Sequence, residues 1–303
     1  MRAIQNALAL LASTLAAAAA MAQGVITDGT ARFEFSTSTT PGLCNYAPDT
    51  TATTDDVLFQ HWLWYRIVGV GTAEARFTWP PPSQNYTGNL ATLSWTGLGS
   101  SFDAIWTLRV RDGLNVGEAT LSESLSLTNT TGSPLQLAVF NYADFDVYGT
   151  SGAASDDVSL AAPGRLRFED QTPNRFCEFS CASAVAYQVS PFATLRTALD
   201  DTSVTDLNNT GVPATNIDGT GAWQWNVTVA ASQTVRLSSI LSINLPATAP
   251  CPGDLNGDRV VNESDLGLLL QAWQQTAGGD ADGDGDTDES DLGILLQNWQ
   301  VQC

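Results

Sequence analysis

The chain has 303 residues, with 32 acidic side chains against 12 basic ones and a formal net charge of −20. Every one of the 12 cations is arginine, a balance that excludes a basic nucleic-acid footprint and a polybasic membrane patch. Beyond the N-terminus no apolar run reaches the ~18 residues of a membrane span, so no span is expected in the mature chain.

The first element is a secretion signal. Arg2 supplies a positive start, an apolar stretch runs from Ala7 to Ala20, and Ala20-Met21-Ala22 fits the small-residue cleavage rule. Residues 1–22 are therefore expected to be removed, leaving Gln23 first and the protein secreted, extracellular or at the cell surface. Export permits disulfides. The cysteines are Cys44, Cys177, Cys181, Cys251 and Cys303, and their odd number leaves one thiol over. Cys251 and Cys303 bracket the acidic end of the chain and form the first expected pair. Cys44 with Cys177 or Cys181 is the second.

Residues 23–245 read as an all-β body. "ARFEF", "TLRVRDG", "SPLQLAVFNY" and "GRLRFED" alternate apolar and polar residues, the period of a half-buried strand. "ATLSESLSL" places Ala119, Leu121, Leu125 and Leu127 on one side. "AWQWNVTV" does the same with Trp223, Trp225, Val227 and Val229, turning Gln224, Asn226 and Thr228 outward. Clusters such as "TNTTGSP" and "NNTGVPATNIDGTG" separate the runs. The pattern predicts packed antiparallel sheets, as one large sandwich or two small ones. In "LFQHWLWYRIVGVG", Trp62, Trp64 and Arg66 face one way and His61, Leu63 and Tyr65 the other. Such aromatics serve core packing or, in some sandwiches, a sugar platform.

Catalytic signals in the body are sparse. Glycoside hydrolysis needs two carboxylates at a set separation. Asp144 with Asp146, Glu169 with Asp170, and Asp200 with Asp201 are candidates, and none has a flanking signature. Asp144 and Asp146 share one strand face about 7 Å apart. His61 is the only histidine, which excludes a multi-histidine zinc site and is expected to be a packed strand residue.

Residues 246–250 form a short linker containing two prolines, Pro246 and Pro250, and residues 251–303 form a separate acidic module with eleven Asp or Glu against one Arg. Gly253–Gln274 and Gly279–Gln300 match at fourteen of twenty-two positions, offset by 26 residues, so the module is a duplication. Each copy opens with a twelve-residue loop that offers oxygens at positions 1, 3, 5, 7, 9 and 12, the demand of a hard cation such as calcium. In the first copy these are Asp254, Asn256, Asp258, the carbonyl of Val260, Asn262 and Asp265. In the second they are Asp280, Asp282, Asp284, the carbonyl of Asp286, Asp288 and Asp291. Two calcium ions are expected. The second site should be the stronger: its loop has five Asp ligands and Gly285 at the sharp turn, where the first has two Asn and Arg259. A helix should follow each loop. Its apolar face is Leu266, Leu269, Leu270 and Trp273 in the first copy, and Leu292, Leu295, Leu296 and Trp299 in the second. Helices this short need each other and the metal. Pro250, Pro252 and Gly253 forbid an entering helix, so each unit is half of an EF-hand.

These tandem loop–helix units resemble a type I dockerin, and the closing cysteines resemble a Cys-terminated variant of that module on secreted bacterial proteins. The resemblance covers residues 251–303 only. It implies docking to a cohesin-like or cell-surface partner through loop positions 10 and 11, here Glu263 and Ser264, then Glu289 and Ser290. Many such modules carry small hydroxyl pairs at these positions. The expected whole is a mainly β protein: an antiparallel β-sandwich body, non-catalytic and serving binding or structure, followed by a small α-helical calcium module. The alternative is a polysaccharide-acting O-glycosyl hydrolase or carbohydrate-binding component of a cellulosome-like assembly.

Overall fold

The computed structural model describes residues 24–245 and 252–300, except 37, 49–55, 71–72, 148–155, 171–174, 257–259 and 283. The expected signal at 1–22, the linker at 246–250, Cys251, Cys303, Asp258 and Arg259 lie outside the described residues. The chain divides into two compact units, Met1–Leu245 and Pro246–Cys303.

The body contains seventeen strands among its described residues. The first eight are β1 (Val25–Asp28), β2 (Ala31–Phe35), β3 (Cys44–Ala47), β4 (Leu58–Ile67), β5 (Ala75–Arg76), β6 (Ser83–Thr87), β7 (Leu90–Leu98) and β8 (Phe102–Asp112). Next come β9 (Glu118–Asn129), β10 (Leu135–Phe145), β11 (Asp156–Ala162), β12 (Arg165–Glu169), β13 (Phe176–Ser180) and β14 (Ala186–Pro191). A short helix, α1 (Thr194–Asp200), then precedes β15 (Ala214–Ile217), β16 (Gly219–Val229) and β17 (Thr234–Asn244). All the pairings between these strands are antiparallel. A nine-stranded sheet runs β15-β11-β12-β13-β17-β9-β8-β7-β6, and a five-stranded sheet runs β14-β16-β10-β4-β5. A three-stranded sheet, β1-β2-β3, adds Phe33, Phe35 and Tyr46 to the same core. The body is one sandwich unit rather than two.

The alternation read from sequence sets the inner faces. In β9 the buried row is Ala119, Leu121, Glu123, Leu125 and Leu127, and its neighbours β8 and β17 hold it in register over its length. Side chains from the two large sheets meet between them. Tyr65 packs edge-on to Phe102 at 5.0 Å, Phe145 lies 4.9 Å from Phe168, and Phe179 lies 6.1 Å from Trp223. Each fully buried aromatic contributes about 1.5–3 kcal/mol of burial. β4 and β10 are covered on both faces: Trp62 and Trp64 are buried as fully as Leu63. Trp62 sits 5.6 Å from Phe35 and 5.0 Å from Trp79, and donates its indole N–H to the Phe77 carbonyl at 2.8 Å. Those tryptophans are packing residues. Gln224 departs from the expected outward direction, because residues following α1 cover it; its amide oxygen accepts from the Leu207 N–H at 2.7 Å.

The C-terminal unit holds two helices, α2 (Glu263–Ala272) and α3 (Glu289–Gln297). They interlock as equivalents. Gln300 donates its N–H to Val261 at 2.7 Å, and Gln274 donates to Thr287 at 2.9 Å, so each copy's tail is tied to the other copy's loop. Gly253 packs against Leu295 and Gly279 against Leu269, and at both points an added Cβ would come within 3 Å of the opposing helix backbone. Val261, Leu269 and Leu295 are fully buried, with Leu266, Leu292, Trp273 and Trp299 packed around them. Leu270 and Leu296 correct the expected apolar face: they are 56% and 54% exposed. Two short helices crossing at one seam cover a narrower stripe than the 100° face a globular helix buries.

Candidate functional site

In the second loop the spacing of carboxylates becomes a cluster. Ligand oxygens of Asp280, Asp282 and Asp284 lie within 4.8 Å of one another, and so do those of Asp286, Asp288 and Asp291. The backbone turns so that each side chain meets an N–H further along. Asp282 accepts from Asp284 N–H at 3.1 Å, Asp284 from Asp286 at 3.1 Å, and Asp280 from Gly285 at 2.9 Å. Gly285 has φ +99°, a conformation open to glycine and costly for other residues. Asp288 also caps α3, accepting from Ser290 N–H at 2.7 Å. The Asp284 carboxylate, with help from burial and other loop carboxylates, raises the pKa of Asp286.

Asp291 closes this loop. It is fully buried and accepts three backbone N–H groups: Ala281 at 2.6 Å, Asp282 at 3.2 Å and Asp288 at 2.7 Å. Burial pushes its carboxyl pKa up, and these donors more than reverse that, leaving it below the ordinary range. Asp265 does the same in the first copy, accepting from Leu255 at 2.8 Å, Asn256 at 3.1 Å and Asn262 at 2.9 Å. Asn262 caps α2 through Ser264 N–H at 2.7 Å, and the Val260 carbonyl accepts from the Asn262 amide at 3.1 Å. Aspartate at position 12 therefore reaches back to hold the loop it ends, a duty its short arm suits. Asp254 is half-buried and Asn256 exposed.

The donor set fits calcium. It offers oxygen alone, mostly anionic, in loops held open by backbone hydrogen bonds rather than collapsed on a core. Asp280, Asp282, Asp284, Asp288 and Asp291 would hold an ion in the second loop. Of the ligands expected in the first loop, the side chains of Asp254, Asn256, Asn262 and Asp265 fall among the described residues. Such an ion would neutralise carboxylate repulsion. Asp286 is expected to offer its backbone carbonyl; its carboxylate lies with those of Asp288 and Asp291, in a triad separate from that of Asp280, Asp282 and Asp284. Glu263, Ser264, Glu289 and Ser290 are all exposed at the helix starts, at equivalent points of the duplication.

The body's candidates are arranged differently. His61, fully buried, sits between the sheets. Its Nδ1 lies 2.8 Å from the Tyr142 carbonyl, which only accepts, so Nδ1 carries a proton. Its Nε2 lies 2.5 Å from Glu123 Oε1. Asn141 and Ser239 donate to Glu123 Oε2 at 2.9 and 2.6 Å. This network joins β4 and β10 to β9 and β17 across the core. Glu123 was not singled out from sequence; the signal was a lone carboxylate in the inward row of "ATLSESLSL".

Asp144, at the end of β10, is buried, and burial, Asp146 and Asp218 push its pKa up to about 8; Arg196 pulls against that shift. Asp146 is half-buried and raised to about 7, chiefly by burial. Glu169 instead pairs with Arg167, and Asp200 with Arg76 and the Trp64 indole. The expected pairing of Cys44 with Cys177 or Cys181 is not formed: all three are buried free thiols. They fill apolar core positions, where burial holds the thiols of Cys44 and Cys177 well above their ordinary pKa. A separate open hollow of about 660 Å³ lies on the five-stranded sheet, lined in part by Arg66, Gln136, Asp206, Asn209, Gln224 and Asn226.

No protein-family model matches this sequence, and no curated protein does. Among solved structures, a bacterial glucoamylase complexed with acarbose is similar at 11% identity and a TM-score of 0.48, covering 75% of this chain and 33% of its own. A protein of Synechocystis is similar at 10% identity and TM-score 0.40, with 75% and 96% covered. A polysaccharide lyase is similar at 10% identity and TM-score 0.41, with 73% and 33% covered. The chain thus spans about a third of the glucoamylase and of the lyase. Likeness at this level carries no argument about activity. Among the described residues, no helix is long and apolar enough to cross a membrane.

Proposed function

We propose that this is an exported, calcium-binding protein whose C-terminal unit docks it, in the manner of a dockerin, onto a cohesin-like or cell-surface partner. The body is proposed as a carbohydrate-binding domain without hydrolytic activity. One observation carries the docking reading: the duplicated unit exposes the same set twice, Glu263, Ser264 and Leu270 on α2, then Glu289, Ser290 and Leu296 on α3. Calcium in both loops, tighter in the second, fixes the helix starts, and a Cys251–Cys303 disulfide closes the unit.

The polar hollow on the five-stranded sheet supports the carbohydrate reading. Its guanidinium, amide and carboxylate groups are those that hydrogen-bond sugar hydroxyls. Hydrolysis would need two carboxylates lining a cleft. Asp144 is 1% exposed and out of reach of a glycosidic oxygen, which favours binding over cleavage.

Docking is tested by calcium-dependent capture of the full chain on cohesin or cell-surface protein, with chelator as control. Because two equivalent faces substitute for one another, Glu263→Arg or Glu289→Arg alone should leave capture largely intact. The double change should abolish it. Loss from either single change means one fixed orientation; no calcium-dependent capture at all sinks the docking reading. On a glycan panel the body should bind without releasing reducing ends, and turnover would restore the hydrolase alternative.

A further inference from the structure

Asp144, Asp146 and Asp218 meet at one end of the five-stranded sheet. Asp144 is the penultimate residue of β10, paired with Thr220 of β16 and Gln60 of β4. Asp146 follows β10 and is anchored by its N–H to the Val57 carbonyl at 3.0 Å. Asp218 is the single residue between β15 and β16, and its carbonyl accepts from Phe192 N–H at 2.8 Å. One carboxylate oxygen from each lies within 4.8 Å of the others. Calcium binds oxygen at 2.3–2.6 Å, so ligands across one ion stand at most about 5 Å apart. All three fit around a single ion.

A second observation points the same way. Asp144 is 1% exposed, and neither of its oxygens has a hydrogen-bond partner. A buried carboxylate without a donor is a heavy desolvation cost that a folded protein normally avoids. Arg196, which acts on Asp144 electrostatically, donates to the Gln60 amide oxygen at 3.0 Å and stacks over Phe192 at 5.3 Å, forming no ion pair with the three acids. Asp156 Oδ2 and the Tyr142 hydroxyl are likewise buried without a hydrogen-bond partner. Asp146 and Asp218 are half-buried, so the cluster opens outward on their side.

We propose that Asp144, Asp146 and Asp218 form a binding site for a hard divalent cation, calcium, within the body itself. Asp144 is the floor of the site and the two half-buried carboxylates its rim. The ion would tie the end of β10 to the β15–β16 turn, just beyond Asp144 and Thr220, the last pair of the β10–β16 ladder.

The test is equilibrium dialysis of the full-length protein with radioactive calcium at neutral pH, comparing wild type with Asp144→Asn/Asp218→Asn. Both proteins keep the C-terminal loops, so those contribute equally whether or not they bind. The double variant should retain the near-ultraviolet circular dichroism of the body and bind one ion fewer per chain. Equal counts in the two proteins would overturn the site. If the double variant loses that spectrum, Asp218→Asn alone decides, because its side chain is half-buried and outside any strand. At least a tenfold weakening of one class of bound calcium supports the proposal, and an isotherm identical to wild type refutes it.

Discussion

At the scale of single residues, the body is organised around polar groups placed where apolar ones would serve burial better. Glu123 is the clearest. It occupies the middle of an inward row, 4% exposed, and is tolerable only because His61, Asn141 and Ser239 converge on it from three other strands. Removing one member of a buried polar set leaves the rest unpaired, typically at about 3–5 kcal/mol. Glu123→Ala should therefore lower the unfolding free energy of the body by that amount, read as a lower urea midpoint with an unchanged slope. A loss under about 1 kcal/mol would show that the network is replaceable by water or repacking. Asp265 and Asp291 are a second kind of placed carboxylate. Each ends a loop, lies in the first turn of a helix and accepts N–H groups from the loop and from the residue that caps the helix, so one side chain fixes the loop's conformation and the helix start.

At the scale of elements, α2 and α3 are the informative pair. Their cores are minimal, three fully buried residues with a partly buried collar. Their outer faces carry Gly267 and Gly293 mid-helix, and an added Cβ at either would meet nothing within 4 Å. Nothing within the unit requires glycine there, although glycine costs a helix about 1 kcal/mol relative to alanine. Gly267→Ala and Gly293→Ala should each raise the stability of the calcium-loaded unit by up to about 1 kcal/mol, read by calorimetry. The same changes add bulk beside Leu270 and Leu296, so they should weaken docking where they strengthen the fold. Alanine variants no more stable than wild type would mean the helix backbone itself needs glycine. By contrast Gly253 and Gly279 sit against the opposing helix, and alanine there would force the two copies apart.

At the scale of the whole molecule, half of the charge of −20 lies in residues 251–303, and the buried carboxylates of the body respond to pH in the opposite sense to Asp291. In the body, burial raises Asp144 and Asp156 to about 8, Asp146 to about 7 and Asp56 to about 6, all from an ordinary value of 3.8. Between these limits the folded body holds more protons than the unfolded chain. The slope of stability against pH is then negative. In chelator, the unfolding midpoint of the body should be highest near pH 4 and fall as pH rises toward about 8. A flat or rising profile across that window would mean these carboxylates ionise without cost. In the C-terminal unit, Asp291 is lowered, so its contribution is present at neutral pH and is lost on acidification.

Local pattern was enough to define the duplicated loops, the helices that follow them, and the two-residue period of the strands. Each of these depends on neighbours within about a dozen residues: a loop that binds its own backbone, a helix start fixed by the residue at position 9, a pleat that turns alternate side chains inward. Even there the pattern overstated burial, for Leu270 and Leu296 have helical spacing and no partner. Tertiary structure decided whatever depends on which distant strands lie side by side. It buried Trp62 and Trp64 on a strand covered from both faces, left Cys44, Cys177 and Cys181 as separate thiols, and joined His61 to Glu123. It also brought Asp218 beside Asp144 and Asp146. A period of two fixes the side of the sheet a residue takes but carries no information on strand order or register, and it is order and register that bring these charges together.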